Sequence, residues 1–84
     1  MTTLTIQLEI NFQSISDDSL RECMSLIRFF IDKKDSYNAL RVSNTFIELA
    51  SFELNSGELS SVGFSFVMKM LAPLNSSIYD LMGV

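Results

Sequence analysis

The sequence predicts an α+β domain. Two long strands, at about residues 4–13 and 60–71, carry two to three helices packed on one face, in the order β-α-α-β-α. Three observations lead there. LTIQLEINFQ alternates apolar and polar side chains, the period of a strand with one face buried. Leu20, Cys23, Met24, Ile27, Phe30 and Ile31 recur at helical spacing. VGFSFVMKM places Val62, Phe64, Phe66, Met68 and Met70 on alternate positions, which reads as a second strand. The 84 residues fit one domain spanning 1–84, with an interior of modest size.

In the first strand Leu4, Ile6, Leu8, Ile10 and Phe12 face one way, with Thr5, Gln7, Glu9, Asn11 and Gln13 opposite them. A helix follows at about 17–33. Ser16 suits its N-cap, Asp17 and Asp18 suit the positive first turn, and Ile15 with Leu20 makes a hydrophobic staple. Asp17–Arg21 and Arg28–Asp32 stand four apart on the outer side, where ion pairs form. Lys33 and Lys34 close the helix.

The stretch 35–57 reads as a second helix. Asp35 or Ser36 could cap it and Gly57 could follow its end. Ala39, Leu40, Val42, Phe46, Ile47, Leu49, Ala50 and Leu54 share one broad side, and Arg41, Asn44, Glu48 and Ser51 the other. A hairpin through TFIELASFEL is the competing reading. The polar arc stays coherent over four turns, which favours the helix.

Residues 60–71 follow as the second strand, with Gly63 marking a bulge or a close backbone approach. A rival helix starting from Asn55 and Glu58 as a capping box would scatter apolar residues round its whole circumference. That would require burial on every side. Pro73 ends the ladder, and a short terminal helix turns Ile78, Leu81 and Met82 inward.

Composition excludes several chemistries. The chain has no His, one Cys and three Gly. His-based triads, most zinc sites and Gly-rich phosphate loops therefore cannot be built from it. No catalytic residue, metal site or cofactor is predicted. Cys23 lies on the apolar stripe of the first helix and reads as a small buried hydrophobe. Its solitude suits a reducing compartment, so a cytoplasmic location is expected. The opening MTTLTIQLEINF lacks the features of a signal peptide, and no run is long enough to span a membrane. Glu53 is the acid whose helical position falls within the apolar arc. It is the best carboxylate for acid–base or ligand-binding work. The plainer and preferred reading places it at the helix edge, reaching water.

The net charge is −4, which repels phosphate backbones and anionic membranes. Arg21, Arg28, Lys33, Lys34 and Arg41 form a weak basic set. Phe64 and Phe66 stand where a base-stacking sheet would carry aromatics, with Lys69 alone beside them. Residues 59–84 hold only Lys69 and Asp80 as charges. The apolar surplus there, with two open-edged strands, predicts a contact surface. The expected function is a small non-enzymatic protein-interaction module, a regulator, inhibitor or adaptor acting as a homodimer with a further protein partner. A nucleic-acid-binding accessory role ranks behind it, and a small-ligand binder using a buried carboxylate ranks last. Leu26, Phe29, Phe64, Phe66, Met68, Met70 and Met82 are the expected interface residues. Leu26 and Phe29 are partner-facing because they fall off the main stripe.

Overall fold

A computed structural model describes residues 10–83. Three helices account for nearly all of them: α1 (Asp17–Asp32), α2 (Ser36–Ser56) and α3 (Ser61–Met82). They pack as a three-helix bundle, each helix against the other two. No β-strand occurs among the described residues. The α+β expectation is therefore overturned.

The start of α1 is written in its cap. Ser16 Oγ accepts from Ser19 N at 3.0 Å, and Ser19 Oγ accepts from Ser16 N at 2.8 Å. This reciprocal box satisfies two amides that the first turn leaves unpaired. Asp17 and Asp18 occupy the positive end of the helix. Leu20, Cys23, Ile27 and Phe30 are its buried side. Arg21 reaches Asp18, three residues back, at 3.9 Å. Both side chains are solvent-exposed, so the pair adds little stability.

Helix α2 begins at Asp35, whose Oδ1 accepts from Asn38 N at 3.1 Å and whose Oδ2 accepts from Asn38 Nδ2 at 2.7 Å. It buries Ala39, Val42, Ser43, Phe46, Ala50 and Glu53. Ala39, Ser43 and Ala50 are small, which lets the neighbouring helices approach. The Ser43 hydroxyl is fully buried and donates to Asn75 Oδ1 on α3. A polar group inside the bundle is thereby satisfied. Gly57 ends α2 in the left-handed region, at φ 83°. Gly57 N donates to Leu54 O and Glu58 N to Glu53 O, the pattern that closes a helix through a glycine.

Residues 60–71 are the main correction. They belong to α3, a continuous helix of 22 residues that includes Pro73. The predicted short terminal helix is its second half. Ser60 is the N-cap, accepting from Gly63 N at 3.0 Å. Gly63 thus sits in the first turn of a helix and marks no bulge. The alternation misled because apolar residues at every second position also build two helical rows. Val62, Phe66 and Met70 are spaced four apart, and so are Phe64 and Met68. The objection that such a helix needs burial on every side also fails. Helix α3 buries Val67, Leu71 and Ile78 along one side and leaves Val62, Phe66 and Met70 exposed. At its far end Ile78 is buried and Leu81 half-buried, but Met82 is exposed.

Of the predicted first strand, residues 4–9 lie outside the described residues. Residues 10–13 form no ladder. Their apolar side still faces inward: Ile10 packs against the core, and Phe12 meets Phe46 edge to face at 5.0 Å. The core thus combines one side of each helix with Phe12 laid across them.

Candidate functional site

The two short connections, residues 33–35 and 57–60, reverse the chain twice. Helices α1 and α3 therefore run the same way, side by side. Along their seam, the side chains of α1 meet those of α3 in matching order. Ile15 and Leu20 face Leu59, Gly63 and Phe66 in a cleft of about 210 Å³. One turn on, Leu20 and Met24 face Phe66 and Met70 in a second cleft of about 280 Å³. Leu20 and Phe66 line both, so the two form one apolar groove. Asp17 and Arg21 stand on its α1 rim.

The upper wall of the groove continues outward as the exposed row of α3. Val62 is 81% exposed, Phe66 51% and Met70 37%. Methionine adapts its shape to what covers it, and Met24 with Met70 brings two to one groove. A third depression of about 350 Å³ lies at the start of α1, between residues 11–14 and Asp18, Ser19 and Glu22. Its walls are mostly hydroxyls, amides and exposed carboxylates. It lacks the apolar lining that gives a ligand pocket its grip.

The structure divides the seven expected interface residues among several places. Phe66 and Met70 come together in the groove. Leu26 and Phe64 are half-buried and pack against the core, and Met68 is half-buried too. Met82 is exposed on the last turn of α3. Phe29 is 52% exposed at the far end of α1. Leu20 and Met24 line the groove as well, although the sequence shows them only as members of a core stripe. Val62 was read as a strand residue. Its spacing with Phe66 and Met70 was the signal that joins it to this row.

A different group of side chains gathers at the α1–α2 corner. Lys33 Nζ sits over the Phe29 ring, 5.6 Å from its centroid. The Arg41 guanidinium sits over the Tyr37 ring at 5.7 Å. Arg41 Nη1 also donates to Asn38 Oδ1 at 3.2 Å.

The two candidate reactive groups are both buried. Glu53 is 6% exposed, so the preferred reading that its carboxylate reaches water is corrected. Its Oε2 accepts from Ile15 N at 2.9 Å, while its backbone carbonyl accepts from Glu58 N and Leu59 N. One residue thus fastens both the segment leading into α1 and the loop leading into α3. The Cys23 thiol is buried and pushed up to about 12, by loss of hydration and then by the nearby Glu22 carboxylate. A thiol held protonated in this way is a poor nucleophile. Among the described residues, no group of three or more His, Cys, Asp or Glu could hold a metal ion. No described helix is long and apolar enough to cross a membrane. No family model, curated protein or solved structure matches this chain.

Proposed function

We propose that this chain is a small non-enzymatic interaction module that pairs with a second copy of itself through the α1–α3 seam. The row Val62, Phe66 and Met70 on α3 carries the reading. These residues leave exposed apolar surface beside a groove that is already apolar, whereas isolated exposed hydrophobics are ordinary. Together the three side chains expose roughly 300 Å² of surface, the size of the largest patch on a typical monomer. A stable interface needs about 800 Å² per partner. The row would supply the dry centre and the α1 rim the rest.

The rim also favours a second copy as the occupant. Along α1 the groove-side residues run from Asp17 to Arg21 and on to Arg28, acidic first and basic later. Two copies related by a two-fold axis, with their α1 helices antiparallel, bring the acidic start of one beside the basic stretch of the other. A two-fold interface requires such self-complementarity.

Size-exclusion chromatography with light scattering tests this. The expected result is a dimer mass at micromolar concentration for the unmodified chain, and a folded monomer for Phe66→Asp with unchanged helical circular dichroism. A strict monomer at high micromolar concentration, or a dimer that survives Phe66→Asp, would overturn it.

A further inference from the structure

We infer that the α1–α2 corner is a binding site for single-stranded nucleic acid, separate from the α1–α3 seam. Lys33, Lys34 and Arg41 are three of the chain's six basic residues, and all three lie within the ten residues 32–41 about this corner. Two acids share the stretch, Asp32 and Asp35. Both carboxylate oxygens of Asp35 are engaged by Asn38 in capping α2. In a chain of net charge −4, this stretch carries three bases against two acids.

Two exposed aromatic rings accompany that charge in a repeated arrangement. Phe29 precedes Lys33 by four residues in the last turns of α1, and Tyr37 precedes Arg41 by four at the start of α2. In each pair the cation lies over the ring, at 5.6 and 5.7 Å. Both residues stay largely exposed, Phe29 at 52% and Tyr37 at 71%, although the Phe29 ring also meets Phe30 edge to face at 5.3 Å. A stacking surface beside a cation is the unit that grips single strands: the base lies on the ring and its phosphate meets the charge. The corner holds two such units, one on each side of a three-residue turn. A duplex hides its base faces and cannot use the rings. An acidic polypeptide uses the cations and has no need of them.

The turn itself carries a second mark. Lys34 N donates to Ile31 O at 3.0 Å and Asp35 N to Phe30 O at 2.8 Å. This is the closing pattern found at the end of α2, where Gly57 fills the left-handed position. Here that position holds Lys34, at φ 60°. Side-chain-bearing residues are disfavoured in this conformation, and such residues cluster at functional sites. A cation placed there is accounted for if it contacts a ligand.

Fluorescence anisotropy with labelled oligothymidylate and oligouridylate tests the inference, with the same sequence as a duplex and with polyglutamate as competitors. The expected result is saturable binding at low salt that weakens with added salt, with a log–log slope of about −2 for three contacted phosphates. Tyr37→Ala, at an exposed position, should weaken binding by at least about fivefold. Lys34→Gly should weaken it while leaving the chain folded and more resistant to heat. Three results would overturn the site: no binding at low salt, an affinity indifferent to Tyr37→Ala, or competition by duplex or polyglutamate as effective as that by unlabelled single strand.

Discussion

Replacing Glu53 with alanine tests how the bundle is fastened at the end where α1 and α3 begin. The carboxylate accepts the Ile15 amide at 2.9 Å and is almost wholly buried. A hydrogen bond to a charged group contributes about 1.5–3 kcal/mol. The Ile15 amide is only partly buried, so some water can replace the lost acceptor and the lower half of that range applies. Truncation also removes a buried methylene, about 0.8 kcal/mol. Acting the other way, an anion in the last turn of a helix opposes the helix dipole, and removing it returns about 0.3–1 kcal/mol. The net expectation for Glu53→Ala is a loss of about 2 kcal/mol. A domain of this length has a total stability of roughly 4–12 kcal/mol, so the loss is a sizeable fraction. Glu53→Gln keeps an acceptor oxygen and the side-chain volume, and should lose less than about 1 kcal/mol. Urea unfolding followed by circular dichroism measures both variants, and amide exchange at Ile15 reports the bond itself. A Glu53→Ala variant within about 0.5 kcal/mol of the parent, or a Glu53→Gln variant as damaged as the alanine one, would refute the assignment.

Two further outcomes follow from single positions. Pro73 is exposed in the interior of α3 and cannot donate to the Lys69 carbonyl, so Pro73→Ala should raise the melting temperature, with up to about 3 kcal/mol to be regained; a lower melting temperature would mean that the ring is needed for packing. The Cys23 thiol is raised from 9.0 to about 12, so the folded chain keeps a proton that the unfolded chain sheds over that range. Its stabilising contribution is whole below pH 9 and is lost as the pH rises toward 12, at up to about 1.4 kcal/mol per pH unit. Alkaline unfolding of Cys23→Ala should lack that share of the slope, and equal slopes for parent and variant would contradict the buried, neutral thiol.

The helices α1 and α2 were legible because their ends are locally encoded. Ser16, Asp17 and Asp18 mark one start, Asp35 marks the next, and Gly57 marks a stop. Each acts on backbone groups within a few residues. Helix α3 was not legible, for a reason particular to its composition. Val62, Phe64, Phe66, Met68 and Met70 satisfy the strand period and two helical rows equally well, so periodicity could not separate them. The discriminating residue was Ser60, a cap whose signal is weak beside a run of phenylalanines. Glu53 was misplaced because its partner, Ile15, lies 38 residues away. No local pattern reveals a bond of that span. Ser43 was missed likewise, since only the placement of Asn75 makes a buried hydroxyl tolerable. Of the groove, Phe66 and Met70 were legible as excess apolar surface. Which α1 residues would face them depended on the bundle geometry.

The position of α3 in the bundle explains why its exposed apolar row and the cation–ring pairs of the α1–α2 corner do not interfere. Each helix has one side for the common core. Helices α1 and α2 expose single large rings, Phe29 on α1 and Tyr37 and Phe52 on α2, whereas α3 exposes the row Val62, Phe66 and Met70 beside its buried side. The uncovered side borders the groove-forming edge of α1, which carries Met24. Phe29, in the basic corner, is five residues further along the same helix, a rotation of about 140° at 100° per residue. The two surfaces therefore face different directions and lie at different heights on α1. A second copy seated on the seam would leave the corner of each copy open. Two corners held in one assembly would act at high effective concentration on a single long strand, raising affinity without any new contact. The two proposals are thus compatible in one assembly: the apolar row of α3 would hold two copies together, and the cation–ring pairs of each corner would stay open to a strand.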